Sequence, residues 1–449
     1  MKRMKTPVID MLDAFAEKGA VRMCMPGHKG KGEGFFREIM KRDITELFFS
    51  DNLMEPEGVI AESEKLFAEL FGAAQAYFSV NGSTAGIWAM VSASERILVE
   101  RGSHRAVFKA AEYLGKECYV INGRFSEGRY QPPDEDEIIR RASAVGADTV
   151  LLTSPDYYGF LHFGETLYQK LKDKGIRLFA DSAHGAHFGL SPRLPENCIK
   201  YCDACVVSVH KTLSAMTQSA VLMARTEETG RELGKALSAF MTTSPSYPLM
   251  ASIEYARVRA ENSRGEYERL YKDVERIKKR LAGSRIRIPD NDDFTRLVLD
   301  ASDCGGGYAL GAFMEARDIY PEMTDKYRAV LILTPEDGTE ALNMLADTAE
   351  EYLETPVSME KTIAREMVYE GKGVTEYRPD VRNKIYIPLK KACGERAAEE
   401  IGIMPPCVPL IMKGEIINEE VINLLYDEIK RGNVYGVDGD GQVAVEGAK

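Results

Sequence analysis

The sequence predicts an α/β protein with a mainly parallel sheet covered by helices on both faces, followed by a smaller α+β domain. Short β-branched runs alternate with helix-length segments between residues 56 and 225, and this alternation implies right-handed crossovers between parallel strands. A long charged segment follows at 250–283, after which strand and helix patterns mix. We therefore expect an N-terminal segment at 1–55, a large domain at 56–283 and a small domain at 284–449.

Apolar periodicity and helix-end signals predict the individual elements. The N-terminal segment predicts an amphipathic helix, and further helices are predicted at 58–72, 85–95, 104–115, 134–146 and 165–175. Strands are predicted within 76–80, 96–100, 118–121, 148–155, 176–185, 202–211 and 219–225. One long helix is predicted over 250–283, with basic residues that complement its macrodipole before Gly283. The small domain predicts strands at 295–302 and 328–334, helices at 307–318 and 336–354, and a loop-rich connection at 367–383.

Composition and charge narrow the class of function. The formal charge of −12 has the wrong sign for a protein whose main partner is a phosphate backbone, so we expect no nucleic acid, whereas a cationic small molecule would be attracted. No secretory signal and no apolar run of transmembrane length is present in the sequence, which favours a cytoplasmic protein without a membrane partner. The eight cysteines are too sparse for a disulfide scaffold and are interpreted as free thiols.

Three motifs follow predicted strands, and function gathers at the carboxyl ends of strands in such sheets. The first motif is Asn81-Gly82-Ser83-Thr84, which lies between a strand and an apolar helix. A helix N-terminus with glycine and hydroxyl side chains offers N–H groups and a positive dipole end to a phosphate. Taken alone, the motif is equally typical of an ordinary capped turn.

The second motif is Asp181 at the end of an apolar strand, followed by Ala183, His184 and His187. A carboxylate at this position can keep a heterocyclic nitrogen protonated. The alternatives are a capping aspartate beside structural histidines, or a metal site at His184 and His187, for which no third ligand is evident at useful spacing.

The third motif is Ser208-Val209-His210-Lys211. A lysine at a buried strand end is costly unless it is paired or chemically committed, and such a lysine suits Schiff-base chemistry. Together, a phosphate-binding helix start, a ring-nitrogen acid and a lysine form the set that holds pyridoxal 5′-phosphate (PLP). His104, which follows the predicted strand at 96–100, could stack on the pyridine ring.

These residues resemble, in order, the Orn/Lys/Arg decarboxylases of the aspartate aminotransferase fold, fold type I, with a mainly parallel seven-stranded sheet in the large domain. The matching segments are 26–30, 70–73, 81–86, 153–159, 181–189, 208–220 and 242–252. A weaker likeness continues through 388–415. The phosphate motif begins too early in the chain for the N-terminal receiver-like domain of the longest relatives, so we expect the short form.

The resemblance implies the following roles. Lys211 would bind the cofactor covalently, Asp181 would pair with its ring nitrogen, and His104 and Ala183 would pack on opposite faces of the ring with His184 adjacent. The phosphate would be held by Gly82, Ser83, Thr84, Ser208 and His210. Thr243 and Ser244 would reach into the site of a neighbouring subunit, which implies at least a homodimer. His28 and Lys29 would line the entrance to the site.

The chain departs from the family pattern at three places. Family members commonly have Glu where this chain has Ser182, and the family's YPPG is 404–407 here, with Met404 and Cys407 replacing its first and last residues. Glu399 or Glu400 could correspond to the acid that faces the distal cation of the substrate. These changes leave the cofactor motifs intact and bear on the substrate.

Cys198, Cys202 and Cys205 have the C-x3-C-x2-C spacing by which radical SAM enzymes hold an iron–sulfur cluster. Because Cys205 falls inside the strand that leads to Lys211, a chance spacing is the favoured interpretation and no metal is expected. The resulting hypothesis is PLP-dependent decarboxylation of arginine, lysine or ornithine. An aminotransferase, lyase or desulfurase of the same fold, or a catalytically silent PLP-binding relative, stays open.

Overall fold

A computed structural model describes residues 4–126, 129–359, 367–370, 374–377, 383–404 and 408–447. The helices are α1 (Pro7–Glu17), α2 (Phe36–Arg42), α3 (Val59–Phe71), α4 (Gly82–Ser92), α5 (Arg105–Leu114), α6 (Glu135–Val145), α7 (Glu165–Lys172), α8 (Val209–Thr212), α9 (Glu227–Phe240), α10 (Tyr247–Glu261), α11 (Arg264–Arg280), α12 (Gly307–Glu315), α13 (Thr339–Leu353) and α14 (Glu419–Ile429). Short 3-10 helices lie at Cys198–Tyr201, Val357–Met359 and Leu389–Lys391.

The strands are β1 (Gln75–Ser79), β2 (Arg96–Glu100), β3 (Glu117–Ile121), β4 (Arg124–Ser126), β5 (Arg129–Gln131), β6 (Thr149–Thr153), β7 (Arg177–Asp181), β8 (Ala204–Val207), β9 (Ala220–Ala224), β10 (Arg296–Asp300), β11 (Met323–Thr324), β12 (Arg328–Ile332), β13 (Met367–Glu370), β14 (Val374–Glu376), β15 (Lys384–Pro388), β16 (Ile401–Ile403), β17 (Val408–Ile411), β18 (Val434–Tyr435) and β19 (Gln442–Glu446). Every strand predicted between residues 76 and 225 is present. Most of the observed strand ends lie within a few residues of the predicted ones. The chain divides into two compact units, each built from several segments: unit 1 contains 1–93, 178–271 and 334–336, and unit 2 contains the rest. The predicted domain limits stay a prediction.

In unit 1 the strands lie in the order β1, β9, β8, β7. Strand β9 pairs antiparallel with both β1 and β8, and β7 runs parallel to β8. Helix α4 packs closely on this sheet, because a Cβ atom built on Gly86 would lie 2.6 Å from a methyl carbon of Val206 in β8. Only glycine allows this approach.

Helix α1 is held to unit 1 by one buried carboxylate. Glu254 of α10 accepts hydrogen bonds from the N–H groups of Val8 (3.2 Å) and Ile9 (2.8 Å) and from the Ser63 hydroxyl (2.7 Å). N–H groups in the first turn of a helix have no partner within the helix, and an anion is stabilised there. The amphipathic helix predicted at the N-terminus is thereby anchored on both α3 and α10.

In unit 2 the strands β6, β2, β3 and β14 are neighbours in that order. Strand β2 is parallel to β6 and β3, whereas β14 is antiparallel to β3. Smaller sheets in the same unit have the orders β10-β12-β11, β13-β4-β5, β15-β19 and β17-β16-β18. Among the residues that the structure describes, no helix combines the length and the apolar character needed to cross a lipid bilayer.

Two predicted elements are wrong. The long helix at 250–283 is interrupted between α10 and α11, at Asn262 and Ser263. The Ser263 hydroxyl donates to the carbonyl of Ala260 at 2.7 Å, and such side-chain bonds compete with helix continuation. The connection at 367–383 contains β13 and β14, which pair with β4 and β3. Both pairings are antiparallel and join strands that are far apart in the sequence, so local composition carries no signal for them.

Candidate active site

Three strands of the unit 1 sheet end at the same edge, and each is followed by residues of a predicted motif. Because β1 and β8 are both antiparallel to β9, and β7 is parallel to β8, the carboxyl ends of β1, β8 and β7 lie at the same edge. The register agrees, since Ser79 pairs with Ala220, Val207 pairs with Val221, and Asp181 pairs with Val206. The structure therefore brings the three predicted motifs to one edge.

Lys211 and His184 form the central pair at this edge. The Lys211 Nζ atom lies 3.0 Å from His184 Nε2. Lys211 belongs to the one-turn helix α8 and is partly buried, whereas His184 is 4% exposed. A hydrogen bond between two nitrogens requires one of them to accept, so the pair can transfer a proton between the amine and the imidazole. The sequence predicted both residues but not their contact.

Asp181 ends β7 and is 3% exposed. Its Oδ1 atom accepts the N–H of Ala183 at 3.2 Å, which fixes the carboxylate at the start of the turn. Ala183 and His184 follow in that turn and are both buried. A buried carboxylate in this position can accept a hydrogen bond from a protonated ring nitrogen of a ligand.

Three fully buried hydroxyl oxygens near these residues make no hydrogen bond within the described part of the chain: those of Ser182, Ser208 and Thr212. An unsatisfied buried hydroxyl costs about 1–3 kcal/mol. Ser208 precedes α8 and Thr212 ends it, on either side of Lys211. The Ser182 hydroxyl is near enough to the Cys198 sulfur to contribute to lowering the pKa of that thiol, after the larger effects of the Cys202 and Cys205 thiols. Polar atoms of a ligand could satisfy the Ser208 and Thr212 hydroxyls at this edge.

The N-terminus of α4 is open at the same edge. Asn81 is the N-cap residue, but its side chain makes no capping hydrogen bond, and Gly82 has φ +71°. The nearest atom to a Cβ built on Gly82 is the Gln218 carbonyl oxygen at 3.8 Å, so there is room beside the backbone. Ser83 is partly buried and Thr84 is exposed. The first turn of an eleven-residue helix, with free N–H groups, fits an anionic group such as the phosphate of PLP.

His210 is fixed by the backbone just before β9, because its Nδ1 lies 2.8 Å from the carbonyl oxygen of Ser219. Thr243 and Ser244 are exposed. They follow Thr242, whose N–H donates to the Asn81 side chain at 3.1 Å. This segment therefore contacts the start of the phosphate motif within the chain. Its predicted contribution to the site of a second subunit stays a prediction.

His28 and Lys29 lie in the loop between α1 and α2, and their partners are the residue that follows α2 and another residue of the loop. His28 Nε2 is 3.1 Å from the Asp43 carboxylate, and Lys29 Nζ donates to the Cys24 carbonyl at 2.6 Å. Neither of these two bonds involves Lys211, and the role of His28 and Lys29 at the entrance stays a prediction.

Unit 2 holds the remaining predicted residues. His104 is the N-cap residue of α5, and its Nδ1 accepts the N–H of Ala106 at 3.2 Å. Glu399 is exposed towards Lys384, which donates at 2.7 Å. Burial raises the pKa of Glu400, although the Tyr377 hydroxyl donates to it at 2.9 Å and acts in the opposite direction. Ring stacking by His104 and substrate recognition by either glutamate stay predictions.

The structure adds to the sequence prediction at Thr212 and at the three cysteines. Thr212, with its unsatisfied hydroxyl, follows Lys211 directly, so a reading of the hydroxyl next to the lysine would have found it. Met404 is described, whereas Cys407 lies outside the described residues. The three sulfurs of Cys198, Cys202 and Cys205 lie within 4.8 Å of one another, although chance spacing was the favoured interpretation.

A family model and similar proteins both relate this chain to amino acid decarboxylases. The model of the family described as "Orn/Lys/Arg decarboxylase, major domain" matches residues 6–288. Among similar proteins, an uncharacterized protein of Bacillus subtilis, YaaO, is 29% identical over 94% of this chain and 94% of its own length. An arginine decarboxylase of the same species is 27% identical over 96% of this chain and 95% of its own length.

Solved structures agree in fold. The lysine decarboxylase LdcF of Francisella novicida superposes with a TM-score of 0.83 at 17% identity, over 98% of this chain and 80% of that one. The constitutive lysine decarboxylase of E. coli gives 0.80 at 19% identity, over 99% and 82%. The predicted α/β fold class is therefore confirmed. The seven predicted strands correspond to β1, β7, β8 and β9 in unit 1 and to β2, β3 and β6 in unit 2. Strand β14, which pairs with β3, was not predicted.

Proposed function

Because the chain belongs to the Orn/Lys/Arg decarboxylase family, we propose that it removes the α-carboxyl group of a basic amino acid with the help of PLP. The observation that carries the proposal is the convergence of Lys211, Asp181 and the open N-terminus of α4 at one edge of the unit 1 sheet. The unsatisfied hydroxyls of Ser208 and Thr212 support it, since they supply donors where a phosphate needs them.

When bound, PLP supplies an electron-withdrawing ring that accepts the electrons of the bond broken at the substrate Cα. Lys211 holds the cofactor through its Nζ atom, and Asp181 keeps a proton on the ring nitrogen. Ser83, Ser208 and the first N–H groups of α4 bind the phosphate.

The His184 imidazole, 3.0 Å from Lys211, holds the proton that is returned to Cα after carbon dioxide leaves. Because His184 is buried, bulk water has little access to this proton.

Among basic amino acids, arginine is the first candidate. Relatives named arginine decarboxylase align with 92–98% of this chain at 25–27% identity. Relatives named lysine decarboxylase align with only 58–59% of it. The formal charge of −12 is compatible with any cationic substrate and does not discriminate between them.

The experiment offers arginine, lysine and ornithine separately to PLP-loaded protein and measures carbon dioxide and the amine product. We expect release from arginine and loss of both turnover and borohydride-reducible cofactor in Lys211→Ala. Lys200→Ala, a surface lysine that bonds to Glu196, is the matched control and should keep full activity. Turnover retained in Lys211→Ala would refute the assignment, and keto-acid-dependent turnover would identify an aminotransferase instead.

Asp181→Ala separates the role of the carboxylate from that of the lysine. We expect a loss of about 100-fold or more in kcat with the far-UV circular dichroism unchanged, because the ring nitrogen loses its partner. A near-normal rate would remove the role that we assign to Asp181. His184→Gln should lower kcat and remove the corresponding limb of the pH profile.

A homodimer is part of the proposal. Segment 21–48 of unit 1 exposes large apolar side chains: Val21 (82%), Met23 (88%), Phe35 (80%) and Phe48 (102%). Apolar side chains exposed to this degree in one segment are typical of an interface. Light scattering should show a dimer in the native protein and more monomer in Phe48→Glu, with Tyr320→Glu, at 74% exposure, as control. A monomeric native protein would refute the dimer.

A further inference from the structure

A cluster of three cysteines lies in unit 1, and the proposed reaction uses none of them. Cys198 begins the 3-10 helix, Cys202 follows it, and Cys205 lies in β8 opposite Ala180 of β7. Their residue exposures are 7%, 0% and 0%. We propose that these three sulfurs bind one thiophilic cation, Zn²⁺ or Cu⁺.

The spacing of the sulfurs fits a single ion. All three lie within 4.8 Å of one another. With a metal–sulfur bond of about 2.3 Å, sulfurs around one ion are about 3.8–4.0 Å apart in tetrahedral or trigonal geometry. A modest rotation of the side chains therefore closes the site. A four-iron cluster fits less well, because each of its cysteines binds a different iron and the sulfurs point away from one another.

The turn that carries two of the ligands is held in place without a metal. The Asn197 side chain accepts the N–H of Ile199 at 3.1 Å and donates to the carbonyl of Phe188 at 3.4 Å. The third ligand is fixed by the sheet, since β8 is hydrogen-bonded to strands on both sides. Preorganised thiolates bind soft cations strongly, whereas magnesium and calcium prefer oxygen ligands.

A fourth donor is available in the Ser182 hydroxyl. It is fully buried, makes no hydrogen bond in the described part of the chain, and lies beside Cys198. No additional His, Cys, Asp or Glu joins the three cysteines among the described residues. The site therefore provides three sulfurs and one neutral oxygen, or a trigonal sulfur set alone, which suits Zn²⁺ or Cu⁺ respectively.

The bound cation would tie the turn at 198–202 to β8. Cys205 precedes Ser208 by three residues and Lys211 by six. Ser182 follows Asp181 directly. A cation at this place would act as a structural ion beneath the edge that carries the proposed cofactor residues, with no part in proton transfer.

The test measures metal in the full-length, PLP-loaded protein. After expression in medium that contains zinc and copper, and dialysis without chelator, mass spectrometry should find about one ion of zinc or copper per chain. After metal removal, Co²⁺ should produce sulfur-to-cobalt charge-transfer absorption in the near ultraviolet. Both signals should be lost in Cys202→Ser and retained in Cys304→Ser, which replaces a buried cysteine of unit 2.

The native chain alone can refute the proposal, so a variant that fails to fold does not remove the test. A protein that retains neither zinc nor copper and gives no charge-transfer absorption with Co²⁺ would overturn it. Freshly isolated, metal-free protein in which peptide mapping finds a disulfide between two cysteines of the cluster would also overturn it, since those sulfurs could not then bind a cation. Activity is not needed for either result, so failure of the proposed decarboxylation is distinguishable.

Discussion

Truncation of Glu415 tests the buried ion pair that holds the C-terminal segment of unit 2. Arg101, 2% exposed, donates through Nη1 to Glu415 Oε2 at 2.9 Å and through Nη2 to Oε1. The Asn122 side chain accepts from the same guanidinium at 2.6 and 2.8 Å. Glu415 also accepts the N–H of Met412 (2.8 Å) and the Thr375 hydroxyl (2.9 Å). This carboxylate therefore satisfies three separate groups.

Glu415→Ala removes the carboxylate that pairs with the buried Arg101 guanidinium. Breaking one partner of a buried pair costs about 3–5 kcal/mol. The side chains are 2% and 13% exposed, so solvent screens the pair little. We expect a loss of that size in the free energy of unfolding. Replacing both partners, in Arg101→Met with Glu415→Leu, should cost much less, because no charge is then left uncompensated.

The assay is urea unfolding followed by circular dichroism at neutral pH. The matched control is Glu351→Ala, which removes a second carboxylate paired with an arginine, Arg317, but in an exposed pair at 55% and 32% exposure. Exposed pairs contribute about 0–1 kcal/mol, so the control should shift the midpoint little. A loss under about 1 kcal/mol in Glu415→Ala, or a double variant as unstable as the single one, would refute the reasoning.

Three further predictions concern unit 1. Burial raises the pKa of Glu64 from its ordinary 4.5 to about 8. Between these two pH values the folded state keeps a proton on Glu64 that the unfolded state has lost. The free energy of unfolding should therefore fall as pH rises from 4.5 to 8, by at most about 1.4 kcal/mol per pH unit. Urea unfolding across that range should show a flatter dependence in Glu64→Gln, and equal slopes would contradict the shift. Gly86→Ala should lose about 1–3 kcal/mol, because the new Cβ would meet Val206, whereas Gly265→Ala, which has open space, should lose none in the same unfolding assay. Although burial acts to raise the pKa of Asp51, backbone N–H groups, most of them around the start of α3, outweigh it and lower the value. Asp51→Asn removes this negative charge and should cost about 0.3–1 kcal/mol at neutral pH, and thermal melts should show that difference vanishing as pH falls below about 4.

The meeting of the predicted motifs at one edge of the sheet could be predicted because its determinants are local. Asp181 and Lys211 each follow an apolar run that can be recognised without its partners, and parallel strands bring their carboxyl ends to one edge. The contact between Lys211 and His184 was beyond prediction, because it depends on how two turns fold after their strands. Thr212 can be recognised next to Lys211, but the sequence does not show that its hydroxyl is buried and unsatisfied.

Most of the features that were not predicted depend on residues distant in sequence. Strand β14 pairs with β3, and Arg101 pairs with Glu415 more than 300 residues later. Short segments such as Val374–Glu376 carry too little pattern to distinguish a strand from a loop. The interruption between α10 and α11 is a local signal that was missed, since Asn262-Ser263 is typical of a helix boundary.

Ser182 connects the two proposals for unit 1. The resemblance places a glutamate at this position in related enzymes, beside the aspartate that holds the ring nitrogen. Here the residue is fully buried and its hydroxyl lies beside the Cys198 sulfur. A carboxylate in the same place would put another buried negative charge beside this sulfur, which costs free energy unless a cation compensates it. A small neutral hydroxyl avoids that repulsion and can still donate to a sulfur or bind a cation. The departure from the family at 182 and the three cysteines at 198–205 are therefore physically compatible with each other, and Asp181 keeps its place at the end of β7.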